Sequence, residues 1–249
     1  MEKGKGNAPA ALRGEGGKAP TLPSFLFPLP IQAIVIDLDG TLLHTAPELS
    51  DAANRMLRDM DYPPASQELL SSYIGNGISW LVKRALTGEM HATPDAALYN
   101  HALPIFEKHY TELLLQSEVF DGVIDGLNGM LEAGFRLGCI TNKVERYTLP
   151  LLDGIGLAKY FEIVLAGDTL PEKKPHPLPL LHAAKFFNVP IEQLLLIGDS
   201  LNDTIAARAA GCPVFCVPYG YNHGEPVETL DLDAVIADLP AALPLIKRV

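Results

Sequence analysis

From residue 121 onward, short runs of strand-forming apolar residues alternate with stretches of helical period. That alternation narrows the possible folds more than any other feature of the chain. "VIDGLNGMLEAG" (123–134) reads as an amphipathic helix stopped by Gly134, "FRLGCIT" (135–141) as a strand, and 143–155 as a helix. "FEIVLAG" (161–167) reads as a strand and 178–188 as a helix with Pro179 in its first turn. "LLLIGD" (194–199) is a strand and 201–210 a helix ended by Gly211. "PVFCV" (213–217) and "AVIAD" (234–238) add strands, and 240–247 a short closing helix. Strands alternating with helices build βαβ units, so the expected fold is α/β, a doubly wound parallel sheet with helices on both faces.

One strand, over 31–38, precedes this block, and then the texture changes. From Pro47 to about Phe120 the apolar residues recur at helical spacing, as in Leu49, Ala52, Ala53, Met56, Leu57 and Met60. "DYPPAS" (61–66) breaks that helix and Ser66 can cap the next. "GISWLVKRAL" (77–86) and residues 95–116 supply further helices, and no strand is expected among them. The chain therefore divides into an α/β core, 31–46 and 121–249, and an inserted helical bundle, 47–120. Residues 1–30, rich in Gly, Ala, Pro and Lys without periodicity, read as a disordered extension that tightens near Phe25–Pro30. "GEGGKAP" within it is not a phosphate loop, because Leu12 stands where the first glycine is required and Ala19 replaces Ser/Thr.

A net charge of −11 over 249 residues leaves no basic stripe for nucleic acid. No apolar run approaches the roughly 18 residues of a membrane span, and no continuous apolar segment marks a secretory signal. Cys139, Cys212 and Cys216 sit in apolar stretches and read as reduced core thiols, so the expected compartment is the cytoplasm. The CxxxC spacing of Cys212 and Cys216 lacks a second Cys/His pair to complete a metal site.

Ligands of open α/β sheets bind outside the carboxyl ends of the strands. Four polar groups fall there: Asp37-Leu38-Asp39-Gly40-Thr41, Thr141-Asn142-Lys143, the proline-stiffened "KKPHPLPL" (173–180), and Gly198-Asp199-Ser200-Leu201-Asn202-Asp203. Each alone reads as a helix cap or a turn; together, in this order, they demand a common explanation. An EF-hand starting at Asp199 fails, because its twelfth position is Ala210.

"DLDGT", "ITNK", "KPHP" and "GDSLND" resemble the four motifs of the haloacid dehalogenase superfamily of phosphatases, and the helical insertion resembles that superfamily's cap. Within the insertion, "YIGNGISWLVKRAL" (73–86) resembles the cap signature of phosphoglycolate phosphatases. The likeness covers roughly residues 31–240. His44 departs from it, since relatives carry Asp after "DGTL".

The resemblance implies a phosphomonoester hydrolase with Asp37 as nucleophile, forming an aspartyl-phosphate. Two unit charges about 4 Å apart repel by roughly 4 kcal/mol at an effective dielectric near 20, so Asp37 and Asp39 need a compensating cation. Mg²⁺, held by Asp37, Asp199 and the main-chain carbonyl of Asp39, would supply it. Asp39 would be the general acid and base, its proton held by nearby negative charge. Lys174 would neutralise Asp37 and the phosphoryl group; Thr41, Thr141 and the backbone amide of Asn142 would bind phosphoryl oxygens. Asp203 would support the metal through water or orient Lys174. Gly75, Asn76 and Gly77 would form a substrate-reading cap loop, with Arg84, or Lys83, meeting a substrate carboxylate. Trp80 reads as cap core, and His91, His101 and His109 as cap surface.

The expected substrate is a small phosphorylated metabolite, 2-phosphoglycolate above all, turned over by a monomer or a homodimer. The rivals are a phosphatase for a sugar phosphate or pyrophosphate and a β-phosphoglucomutase-like phosphotransferase. A dehalogenase would leave Asp39 without a role, and a phosphonatase would need a cap lysine, for which only Lys83 offers itself. From another class, a phosphate-sensing protein or inactive scaffold would not need Asp37, Asp39, Lys174 and Asp199 together.

Overall fold

The computed structural model describes residues 27–249. Residues 1–26 of the extension expected over 1–30, with its GEGGKAP stretch, lie outside the described residues. In chain order, β1 (Leu29–Ile31), β2 (Ala33–Ile36) and β3 (Leu43–His44) lead into four helices, α1 (Ala46–Asp59), α2 (Gln67–Ser72), α3 (Ile78–Thr87) and α4 (Ala96–Leu113). The chain returns through β4 (Glu118–Val119) to α5 (Val123–Glu132), β5 (Arg136–Ile140), α6 (Glu145–Gly154), β6 (Ile163–Leu165) and α7 (Leu178–Phe187). It closes with β7 (Leu194–Gly198), α8 (Leu201–Ala210), β8 (Val214–Cys216), β9 (Ala234–Val235) and β10 (Ile246–Arg248).

The main sheet runs β6-β5-β2-β7-β8-β9 and is parallel throughout. Its strands alternate sides with period two, and both sides are apolar. Ile34 and Ile36 face a core shared with Leu127, Met130 and Leu151 of α5 and α6. Ala33 and Val35 face a second core with Leu180, Ala183 and Ala206 of α7 and α8. Helices on both faces of a parallel sheet make it doubly wound, as expected. β2 is central: Ile36 lies opposite Cys139 of β5 on one side and Ile197 of β7 on the other. The chain builds outward to β6, then crosses back to β7, so the switch point falls at the end of β2.

α1 to α4 pack together as a bundle, with α1 against α4 and α2. The apolar positions read from the sequence form α1's inner face: Leu49, Ala52, Ala53, Met56 and Leu57 are buried. Asp61, at φ 61°, turns the chain out of α1. Ser66 then caps α2, its hydroxyl accepting from the Leu69 N–H at 3.2 Å.

Three expectations are corrected. The stretch 47–120 does contain a strand: β4 pairs antiparallel with β3, Leu43 opposite Val119, so both connections to the bundle run through one small ribbon. Leu29 and Pro30, assigned to the extension, belong to β1, which pairs parallel with β10. Residues 240–247 do not form one helix. Pro240–Leu245 is a 3₁₀ turn holding Pro240 and Pro244, which cannot donate along an α-helix, and Ile246 begins β10.

Candidate active site

The register of β5, β2 and β7 brings the ends of three strands side by side. Asp37 makes the last ladder bond of its strand, its N–H donating to the Ile197 carbonyl at 2.9 Å, so its side chain emerges at the sheet's rim. Asp199 follows β7 directly and Thr141 follows β5. Lys174 reaches in from the loop before α7 and is 2% exposed. Its Nζ lies 2.8 Å from Asp37 Oδ1 and 2.7 Å from Asp203 Oδ1. Burial works against the ammonium charge, but Asp203 and Asp37 outweigh it and hold Lys174 above the usual lysine range.

Asp37, Asp199 and Asp203 are buried, with oxygens within 4.8 Å of one another. Burial pushes Asp37 up to about 7 against the pull of Lys174, and pushes Asp199 well above the usual carboxylate range, with Asp37 and Asp203 adding to it. Asp203 is engaged on both oxygens, Oδ1 by Lys174 and Oδ2 by the Ser200 hydroxyl at 2.7 Å and Ser200 N–H at 3.1 Å. Asp199 accepts from the Tyr221 N–H on Oδ2 and from Thr41 Oγ1 at 3.3 Å on Oδ1. Thr41 thus braces Asp199 and, contrary to expectation, does not line the cavity.

Asp39 pairs with Lys143, whose Nζ lies 2.9 Å from Oδ1. The sequence reading expected negative neighbours to set this carboxylate's environment; its ion-pair partner is instead a cation. Lys143 is itself buried and donates to the Tyr110 hydroxyl at 2.8 Å, tying the sheet rim to α4. Together the four carboxylates and two ammoniums leave an excess of two negative charges. An all-oxygen donor set with that excess fits one hard divalent cation.

The bundle closes the site with the loop before α3. Asn142 Nδ2 donates to the carbonyls of Gly75 and Lys174, both at 2.9 Å, and Asn202 Nδ2 donates to Gly75 at 3.3 Å. Asn76 donates to Asn202 Oδ1 at 3.1 Å, and Lys173 Nζ donates to the Asn76 carbonyl at 3.0 Å. Gly77 needs its glycine: φ is +87°, and a Cβ would sit 3.1 Å from the Asn142 carbonyl. The cavity left beneath is about 30 Å³, walled on the bundle side by Leu49, Ile74, Ile78 and Leu81.

Gly75, Gly77, Thr141 and Asn142 line this cavity with Asp37, Asp39, Lys174 and Asp199; Asn76 and Arg84 do not. Arg84 is buried and spends its guanidinium on the carbonyls of Met90 (2.9 Å) and Tyr73 (2.7 Å) and on Asn76 Oδ1 (2.8 Å). These contacts shape the loop. Lys83 lies over the rings of Trp80 and Tyr99, away from the cavity, and Trp80 is half-buried where cap core was expected. His91 and His101 are exposed, while His109 is half-buried and pairs with Asp59 at 2.7 Å. His44 sits in the ribbon with Nδ1 2.8 Å from the Tyr221 hydroxyl, linking a connection of the bundle to the loop that braces Asp199.

Lys143, Asn202 and Tyr110 were missed. The first two stand inside motifs already singled out, whereas Tyr110 joins the site only through tertiary packing. All three cysteines are free and buried, and among the described residues no helix is long and apolar enough to cross a membrane.

The chain belongs to the haloacid dehalogenase-like hydrolase family, whose sequence profile matches residues 34–217. It is similar to the phosphoglycolate phosphatase of Thiobacillus denitrificans, 59% identical over 89% of this chain and 98% of that one. The phosphoglycolate phosphatase of Nitrosospira multiformis is 52% identical over the same shares. Among solved structures, a predicted phosphoglycolate phosphatase from Haemophilus somnus superposes with a TM-score of 0.80 at 33% identity, covering 86% of this chain and 96% of that one.

Proposed function

We propose that this chain is a magnesium-dependent phosphomonoester hydrolase that releases phosphate from 2-phosphoglycolate through an aspartyl-phosphate on Asp37. The observation that carries the chemistry is the buried carboxylate cluster at the switch point, with one lysine seated on Asp37 and two negative charges left over. The substrate follows from the relatives, which share most of their length with this chain.

Asp37, Asp199 and the main-chain carbonyl of Asp39 would hold the Mg²⁺, which when bound screens the carboxylates and draws charge from the phosphoryl oxygens. Asp37 attacks phosphorus; the bond to the leaving oxygen breaks, and Asp39 delivers a proton to that oxygen. In the second half, Asp39 takes a proton from water as the water attacks the aspartyl-phosphate, and Asp37 is regenerated. Lys174 pulls Asp37 toward its ionised form against burial, and Asp203 keeps Lys174 in place. Thr141 Oγ1, which accepts from the Lys143 N–H at 3.1 Å, retains its own proton for a phosphoryl oxygen. So does the Asn142 N–H, which has no acceptor among the described residues.

On the measure by which one water needs roughly 10–15 Å³, the 30 Å³ space is too small for a glycolate ester or a hexose phosphate alike, so the bundle must lift to admit either. The chemistry is tested by trapping the reaction with radiolabelled phosphoester and mapping the label. It should appear on Asp37, require Mg²⁺, and vanish with turnover in Asp37→Asn. A label elsewhere, or turnover by Asp37→Asn above a few per cent, refutes the assignment.

A further inference from the structure

A phosphate ester that also carries a carboxylate needs a second cation, and the substrate reading above, on which this inference rests, requires one. The obvious basic side chains are committed. Arg84 engages all three of its nitrogens on two carbonyls and Asn76 and does not line the cavity, Lys83 lies over aromatic rings, Lys173 holds the Asn76 carbonyl, and Lys174 holds Asp37 and Asp203. Among the described residues lining the cavity, the one remaining cation is Lys143.

Lys143 is well placed for the task. Its Nζ makes two contacts, to Asp39 Oδ1 at 2.9 Å and to the Tyr110 hydroxyl at 2.8 Å, which leaves one of its three N–H groups over. Because Tyr110 accepts from the lysine, the phenol's own proton is free to donate, and it has no acceptor among the described residues. A carboxylate arriving here would meet an ammonium in a buried setting, where a charge pair is strong.

We propose that Lys143 is the specificity-determining cation for the leaving group: the substrate's carboxylate displaces Asp39 from Lys143, and Asp39, so released, turns to the leaving oxygen. Substrate recognition and the repositioning of Asp39 are thereby one event. An ester with no carboxylate leaves Asp39 paired with Lys143 and is turned over slowly, although its phosphoryl group binds the same residues. The exchange is of ion-pair partners only; no covalent bond changes.

The test uses the full-length enzyme with Mg²⁺ and two esters of similar size, 2-phosphoglycolate and 2-hydroxyethyl phosphate, in which an uncharged hydroxymethyl group replaces the carboxylate. In Lys143→Met, kcat/KM for 2-phosphoglycolate should fall by about 100-fold or more, the scale of losing a buried charge partner, and that for 2-hydroxyethyl phosphate by roughly tenfold or less. The preference of the parent enzyme for the carboxylate ester then collapses. A parallel fall on both esters overturns the proposal, because it would mean Lys143 only holds Asp39. Should the variant turn over neither ester, protection against thermal unfolding is measured with each. Loss of the preferential protection by 2-phosphoglycolate supports the assignment, and its retention overturns it. If the parent enzyme itself shows no preference between the esters, it is the substrate reading that fails, and the parent enzyme alone shows that.

Discussion

Without metal, the protein should lose stability as the pH rises from 5 to 8, and Mg²⁺ should restore it. The folded-state value for Asp37 is about 7, against 3.8 for an unperturbed aspartate. Between those values the folded carboxyl keeps its proton while the unfolded one ionises, so the folded state binds more protons and stability falls with pH. This contribution is complete below the unfolded value and gone above the folded one. From pH 5 to 7, two pH units at about 1.36 kcal/mol each give a loss of about 2.7 kcal/mol. At roughly 2–4 °C per kcal/mol for a chain of this size, Tm drops by roughly 5–10 °C. Asp199, also raised, adds in the same direction, whereas His223, lowered by burial, opposes it by favouring the folded state as pH rises. Asp37→Asn isolates the carboxylate contribution: the variant's metal-free melting curve should be flatter between pH 5 and 8, or rise. Saturating Mg²⁺ at pH 8 should lift the parent protein more than the variant. The assay is a pH series of thermal melts in chelator and in Mg²⁺. Parallel pH dependences for the two metal-free proteins would refute the excess-charge account.

Gly220→Ala would place a Cβ 2.3 Å from Asp199 Oδ2, so the carboxylate must shift. The Mg²⁺ concentration for half-maximal turnover should rise about 10–100-fold, and an unchanged value would remove Asp199 from the ligand set. Arg84→Met leaves the carbonyls of Tyr73 and Met90 without their donor. That should cost roughly 2–4 kcal/mol, read as a lower Tm; a raised KM with Tm unmoved would instead make Arg84 a substrate ligand. Replacing Gly75 and Gly77 by alanine should harm 2-phosphoglycolate turnover more than aryl phosphate turnover, because the loop can no longer seat at φ values of +115° and +87°. Equal losses would make the loop a hinge alone.

The six-stranded sheet was legible because its inner strands, β5, β2, β7 and β8, are buried on both faces and read as apolar runs between helices. The strands that were missed have two or three residues each, and their pairing is decided by distant partners. Leu43 finds Val119 across the whole bundle, and Leu29 finds Ile246 at the far end of the chain. No local pattern records such a meeting. The closing helix failed for a local reason that was readable: Pro240 and Pro244 stand four apart, and a proline cannot donate inside an α-helix.

The site residues divide along the same line. Asp37, Thr141 and Asp199 were found because a parallel sheet must bring the ends of adjacent strands together, whatever packs above them. Arg84, expected at a substrate carboxylate, does not line the cavity. It stands three residues beyond Leu81 on the buried face of α3, where a guanidinium must find acceptors within the fold, and the carbonyls of Tyr73 and Met90 supply them. Lys143 shows the converse. It lay inside a quoted motif, yet its importance comes from Tyr110 in the bundle. The crowding of Asp37 and Asp39 that the sequence displays is not relieved by a metal alone. Each carboxylate has its own lysine, Lys174 for one and Lys143 for the other, from different loops. With Lys174 shared by Asp203, it is Asp199 that has no ammonium of its own among the described residues, so the demand for a divalent cation is greatest on the side of the site where Asp37 faces Asp199.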